Sequence, residues 1–258
     1  MDLGIQGKNA IVCAGSRGLG RGCAMALADA GVNLTLNGRT AETLERTADE
    51  LRAKGVTVTT VIGDISLPET QDAVFAACPN PDILVNNNGG PPLKDFRELS
   101  REAMLEGVTN NMVVPIELIK RCIDGMAERG FGRIVNITST SVYKPILGLD
   151  LSSGARAGLG AFLAGVAQSV VDKNVTINSI LPGKFDTDRI RSTMEFAADK
   201  KQVPLDEERT NQINAIPAKR LGTPDEFGAT CAFLCSTHAG YMTGRHIILD
   251  GGVYQSAF

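Results

Sequence analysis

Asn9-Ala10-Ile11-Val12-Cys13-Ala14-Gly15-Ser16-Arg17-Gly18-Leu19-Gly20 is the stretch from which the architecture follows. Residues 9–14 are apolar and short enough for a fully buried strand. Glycines at 15, 18 and 20 end it. Leu19, Cys23, Ala26, Leu27 and Ala30 then fall at the spacing of a helix face. Strand, glycine turn and helix in that order are the setting in which a glycine-rich motif binds a dinucleotide. The glycines let the backbone approach the pyrophosphate, and the helix N-terminus offers it free N–H groups. The spacing is Gly-x-x-x-Gly-x-Gly, and a βα turn that simply needs glycine is the alternative reading.

Working outward, strands and helices alternate to the end of the chain, which predicts an α/β fold: a doubly wound, Rossmann-type parallel sheet of about seven strands with helices on both faces, in one domain spanning 1–258. The strands are expected at 9–14, 32–36, 56–62, 83–85, 133–137, 175–181 and 246–249. The fourth leads into a breaker-rich loop, Asn86 to Pro92. Helices are expected at about 68–77 and 151–171, and in the segment carrying Met112 to Cys122. Thr223-Pro224-Asp225-Glu226 is a helix start, with a Thr cap, Pro at the first helical position and Glu three residues on. Residues 184–222 are charged and weakly periodic. An insertion after a strand's C-terminal end borders the ligand crevice, so this irregular stretch is expected to be a lid or substrate flap, with a solvated surface insertion as the alternative.

Composition excludes several function classes. The 258 residues are 43% hydrophobic and 21% charged, with a net charge of −3, and no run of Lys or Arg reaches five. Nucleic acid and anionic membrane are therefore not expected partners. No apolar run approaches about 18 residues, so no transmembrane helix is expected. Met1 to Lys8 lacks the features of a signal peptide. Six cysteines sit mostly in apolar segments, as buried thiols of a reducing compartment would; the cytoplasm is the expected location. Cys231, Cys235 and His238 could share a helix face, but no fourth ligand is near in sequence and the segment is apolar. No metal site is expected.

Several separate segments together resemble the short-chain dehydrogenase/reductase family over nearly the whole chain. Gly15, Gly18 and Gly20 match its cofactor glycines. Asn86-Asn87-Asn88-Gly89 is similar to its Asn-Asn-Ala-Gly segment, with Asn88 where alanine is usual. Asn111, Ser139, and Pro182-Gly183 with Thr187 beyond fall at further family positions, as do Tyr241-Met242-Thr243-Gly244 and Asp250-Gly251-Gly252. The general look is closest to the 3-oxoacyl-carrier-protein reductases. The resemblance implies a nicotinamide cofactor held by Gly15, Ser16, Arg17, Gly18, Leu19 and Gly20, by Arg39, Asp64 and Ile65, by Asn87, Asn88 and Gly89, and by Pro182, Gly183 and Thr187. Members that prefer NAD carry a carboxylate at the end of strand two. Here that strand ends Asn37-Gly38-Arg39, and Arg39 with Arg17 could clamp a 2′-phosphate. NADP (NADPH) is therefore expected, with NAD less favoured.

The resemblance breaks at the family's Tyr-x-x-x-Lys signature. In register with it stand Ser152 and Arg156. A phenol ionises near pH ~10 and can be tuned downward; an aliphatic hydroxyl is a far weaker acid, and general acid catalysis works best when the pKa lies near working pH. Arg156 keeps a positive charge but cannot shuttle a proton. The expected catalytic set is Ser139, Ser152, Arg156 and Asn111, with Tyr143 as a candidate replacement for the phenol or else a wall of the pocket. Water held by Ser139, Ser152 and Asn111 is another route.

Three functions stay open on these grounds. The first is an NADP-dependent oxidoreductase that moves hydride between the cofactor and a small carbonyl or secondary alcohol, with a non-standard proton donor. The second is a nucleotide-binding protein that has lost redox catalysis. The third is a lyase or isomerase using the same pocket. A homo-oligomer, commonly a tetramer, follows from the resemblance alone.

Overall fold

Seven short, apolar strands cannot bury themselves alone, and all seven lie in one parallel sheet. A computed structural model describes residues 1–91 and 93–256; Pro92, the end of the expected breaker loop, lies outside the described residues. The strands are β1 (Asn9–Val12), β2 (Asn33–Gly38), β3 (Val58–Ile62), β4 (Ile83–Asn86), β5 (Gly132–Ile137), β6 (Val175–Pro182) and β7 (His246–Leu249). Their order across the sheet is β3-β2-β1-β4-β5-β6-β7. The helices between them are α1 (Gly18–Asp29), α2 (Ala41–Arg52), α3 (Pro68–Ala77), α4 (Arg101–Val108), α5 (Val114–Glu128), α6 (Asp150–Val170), α7 (Asp188–Lys201), α8 (Leu205–Asn214) and α9 (Pro224–Cys235). This is the doubly wound α/β fold that the alternation predicts.

The strand period of two explains why runs such as Ala10-Ile11-Val12-Cys13 are apolar throughout. Ala10 and Val12 join the core on one face with Cys23, Leu27, Phe227 and Cys231. Ile11 and Cys13 join the core on the other with Val74, Leu118, Leu159 and Leu163. On the first face α1 and α9 touch backbone to backbone. A Cβ on Gly22 would come 2.2 Å from the Pro224 carbonyl oxygen, and one on Gly228 would come 2.1 Å from that of Gly22. The start of α9 carries the complete capping box: Thr223 Oγ1 accepts from the Glu226 amide at 3.2 Å, and the Glu226 carboxylate accepts from the Thr223 amide at 2.9 Å.

Two expectations differ from what is found. Residues 184–222 are not irregular, because they hold α7 and α8. Their outward faces are charged and they bury little, Met194 and Ala198 in α7 and Glu208 in α8, so no apolar stripe announces them. Caps and charges serve instead: Thr187 caps α7, Lys200 and Lys201 occupy its last turn, and three acidic residues open α8. The excursion is closed at its base, where Asp186 N–H donates to the Gly222 carbonyl and Gly222 N–H to the Lys184 carbonyl. Second, α6 with the short turn after it, Asp150–Lys173, is long and apolar enough to cross a membrane by length and composition. Leucine, valine, phenylalanine and alanine interspersed with glycine and serine supply its hydropathy rather than a continuous run of large residues. Its inner face, Ser152, Ala155, Arg156, Leu159, Leu163 and Ala167, is buried.

Candidate active site

The sheet order reverses between β1 and β4, and in open α/β sheets the ligand crevice opens at such a point, beyond the strands' C-terminal ends. Here β1 runs into the glycine turn and β4 into Asn87 and Asn88. The two loops are tied, because Asn87 Nδ2 donates to the Ala14 carbonyl at 3.4 Å. Gly20 has no room for a side chain; its Cβ would lie 2.3 Å from the Ala14 oxygen. Gly15 is packed under the loop against Leu36. Gly18 is different: its φ is +56°, which glycine alone adopts readily, and the nearest atom to its missing side chain is Thr187 Cγ2 at 3.6 Å. The N-termini of α1 and α7 therefore approach one another at Gly18 and Thr187. Free amides of two helix ends and a backbone without side chains fit a diphosphate.

The remaining predicted cofactor residues fall into two kinds. Arg17 and Arg39 are exposed beyond β1 and β2. Arg39 Nη1 lies 3.9 Å from Asp64 Oδ2. Burial pushes the Asp64 carboxyl up, but the Ser66 amide and hydroxyl (2.9 and 2.7 Å) and Arg39 outweigh it and hold it below the usual carboxylate range. Arg39 and Asp64 thus form an exposed pair at the ends of β2 and β3. Others are spent on the scaffold. Ser16 is buried and its carbonyl accepts from Thr47 Oγ1 at 2.9 Å. Leu19 packs against the core and the Ile65 side chain lies within it, leaving only their backbones for a ligand. Gly183 is required by β7: its Cβ would meet Asp250 Cα at 2.7 Å. Pro182 receives Thr140 Oγ1 on its carbonyl. Gly89 has open space around it, and its amide is held by Asn88 Oδ1. Asn88 Nδ2 reaches the Asn110 carbonyl at 3.3 Å, a link that alanine could not make.

On the far side of the crevice, Ser139 ends β5. Its Oγ accepts from the Ser141 amide at 3.1 Å and caps a single 3₁₀ turn. Ser152 and Arg156 lie one turn apart on the buried face of α6, and Arg156 Nε donates to Ser152 Oγ at 3.2 Å. Arg156 Nη1 donates to the Ile137 carbonyl at 2.7 Å. Burial, then the charge of Arg189, lowers the Arg156 pKa to about 10, so the guanidinium stays positive at neutral pH. Asn111 sits in a π-helical segment, Thr109–Val113, between α4 and α5; such one-turn insertions often mark functional sites. Its Nδ2 donates to the Gly107 carbonyl at 3.1 Å, while its Oδ1 is buried without a partner. A cavity of ≈ 10 Å³ adjoins it, lined by Asn86, Asn136, Ile137 and Arg156 among others; that is about room for one water.

Tyr143 is not brought to this group. Its hydroxyl hydrogen-bonds His246 Nδ1 at 2.8 Å, and its ring packs on Tyr254. The 3₁₀ turn after Ser139 swings the following residue toward β7, which a count along the sequence cannot reveal. Conversely, Gly90, Arg189 and Asn136 border the site with no sequence signal singled out for them, and Asn86, quoted in the Asn-Asn-Ala-Gly-like segment, carries no predicted role there. Asn86 and Asn136 sit opposite one another in β4 and β5 and bond at 2.9 Å; two asparagines inside otherwise apolar strands were the available signal. Arg189 offered none, because its helix was not anticipated. The cysteine cluster belongs elsewhere: Cys231 and Cys235 are buried free thiols in α9, and His238 bonds the Asp2 carbonyl.

A doubly wound parallel sheet with a glycine turn at its switch point, and a serine just past β5 with a serine–arginine pair on α6 bonded to the end of that strand, defines a dinucleotide-binding oxidoreductase class. The chain belongs to the short-chain dehydrogenase/reductase family, and the family model described as enoyl-(acyl carrier protein) reductase matches residues 13–254. It is 30% identical to the NADPH-dependent reductase BacG of Bacillus subtilis over 96% of this chain and 98% of that protein. It is 29% identical to the 3-oxoacyl-[acyl-carrier-protein] reductase FabG of Vibrio cholerae over 98% and 100%. Among solved structures, L-sorbose reductase from Gluconobacter frateurii, complexed with NADPH and L-sorbose, superposes with a TM-score of 0.93 at 28% identity, covering 99% of this chain and all of that one.

Proposed function

We propose that the protein is an NADP-dependent short-chain reductase that moves hydride between NADPH and a small carbonyl compound or secondary alcohol, with the family's phenol replaced by a serine that Arg156 polarises. The observation that carries this reading is the Arg156–Ser152 hydrogen bond beside Ser139, beyond the same edge of the sheet as the glycine turn. When bound, the cofactor supplies the hydride. Gly15 to Gly20 and Thr187 hold its diphosphate, Arg17 and Arg39 its 2′-phosphate, and Asp64, Ile65, Asn87 to Gly89 and the Pro182-Gly183 turn border the remainder.

Hydride addition turns a carbonyl oxygen into an alkoxide. Ser139 and Ser152 hydroxyls donate to that oxygen. The Ser152 oxygen already accepts from a guanidinium, which strengthens its O–H as a donor, and the buried Arg156 charge favours the developing negative charge directly. The proton reaches the oxygen from water, for which the Asn111 carbonyl and the adjoining cavity supply a polar seat. Tyr143 is left outside the proton path. The α7–α8 excursion serves as the flap over the substrate. Family likeness together with the apolar outer face of α6, where Phe162 is half exposed among small residues, supports a homotetramer. We place the enzyme in the cytoplasm on its six free thiols.

The test is NADPH oxidation, followed at the nicotinamide absorbance, over a panel of ketones and aldehydes. Turnover with any carbonyl supports the reading. A second reading rests on the aliphatic hydroxyl in the donor position: a nucleotide-binding protein without redox turnover. Tight NADPH binding with no oxidation across the panel, and none gained by Ser152→Tyr with Arg156→Lys, would decide for it. Light scattering on a sizing column tests the tetramer.

A further inference from the structure

Two arginines flank Ser152, and neither has an acidic partner. Arg156 is 8% exposed, and its hydrogen bonds go to a hydroxyl and a carbonyl, Ser152 Oγ and Ile137 O. Arg189, in the first turn of α7, has no hydrogen bond or ion pair from its side chain among the described residues. The acids beside it are taken: Arg191 pairs with Asp186 at 3.1 Å and with Asp188 at 3.6 Å. The Arg189 guanidinium lies instead against Gly90. A Cβ on Gly90 would meet Arg189 Nη2 at 3.1 Å, Nη1 at 3.3 Å and Ser152 Oγ at 3.5 Å. One point beside Gly90 is thus bordered by a guanidinium from α7 and by the hydroxyl that Arg156 holds on α6.

We infer that the Arg189 guanidinium and the Ser152 hydroxyl, which converge on Gly90, border an anion subsite, and that Arg189 with Arg156 takes the carboxylate of an oxo-acid substrate. The inference rests on the reading of the site given above and names the substrate class for it. Two like charges facing one cleft repel, and an anion between them relieves both. The planar guanidinium of Arg189, unspent on protein, matches a carboxylate through two parallel N–H···O bonds. The diphosphate cradle is elsewhere, between Gly18 and Thr187, so Arg189 is not needed there. A carboxylate held by Arg189 sets the adjacent oxo group toward the hydroxyls of Ser152 and Ser139.

The test uses acetoacetate and its methyl ester, which differ by the negative charge and one methyl group. Both are titrated calorimetrically into the full-length protein, free and saturated with NADP⁺. The acid is expected to bind about 10- to 100-fold more tightly than the ester, the span of one charge-assisted contact. Arg189→Gln is expected to erase that preference while NADPH affinity and melting temperature stay as in the wild type; Arg189 is exposed, so the variant folds. In turnover the loss falls on KM for the acid rather than on kcat. Equal binding of acid and ester, or no binding of the acid in either condition, overturns the subsite. So does an Arg189→Gln variant that loses NADPH along with the acid, which makes Arg189 a cofactor ligand. Failure to bind NADPH at all sinks the reductase reading instead, and the acid-against-ester comparison on the free protein separates that outcome.

Discussion

The glycine turn after β1 and the Ser139–Arg156 face after β5 lie beyond the same edge of the sheet, and they are built under different rules. At the turn, backbone meets backbone. Gly20 sits on the Ala14 carbonyl, and Gly22 and Gly228 sit on the facing helix. No larger residue fits without moving main chain. On the other face, side chains project from α6 and β5 toward a cleft whose far wall is a pair of helices closed only at its base. There Ser152 and Arg156 share one turn of one helix and are joined by a hydrogen bond. Close main-chain contacts fix the turn, whereas hydrogen bonds among buried side chains set the other face.

Substitutions at both places can break this contrast. The largest effect is expected at the turn. Gly20→Ala drives a methyl into a carbonyl oxygen; NADPH binding is lost in a fluorescence titration, and unfolding free energy falls by about 1–3 kcal/mol. At the other face, Ser139→Ala removes one donor to the developing alkoxide. It is expected to lower kcat by about 10²–10³ with NADPH affinity and melting temperature unchanged; a loss of NADPH binding there would erase the distinction between the two places. Next comes Arg39→Ala. Loss of a charge-assisted contact weakens NADPH by about 10- to 100-fold and leaves NADH as it was, read from the ratio of the two dissociation constants.

The smallest effect is expected at Tyr143. Tyr143→Phe keeps turnover and costs about 1 kcal/mol of stability, the worth of one partly exposed hydrogen bond. A pH series sharpens the point. Burial lowers the His246 pKa from its ordinary 6.5, so the fold favours the neutral ring that Tyr143 bonds. That contribution is present above the ordinary histidine range and is lost as pH falls through the lowered value. His246→Gln should therefore show a smaller drop in melting temperature between about pH 7.5 and about pH 5 than the wild type does.

Strand positions, the glycine turn, the Asn86–Gly89 loop and the spacing of Ser139, Ser152 and Arg156 can all be read from residue order, because each is local: a period of two, a breaker, a fixed number of residues along one helix. The α7–α8 pair escapes such a reading, since weak apolar periodicity carries no signal when caps and mutual packing hold the helices. The membrane-length hydropathy of α6 escapes it too, its large residues being interspersed with small ones. Only the three-dimensional arrangement turns Tyr143 away to His246 and sets Arg189 against Gly90. It also buries Arg133, whose guanidinium finds oxygens of Gly132, Asn174 and Ser236. Those outcomes depend on contacts between segments a hundred residues apart or on the path of a loop, and neither is encoded in spacing along the chain.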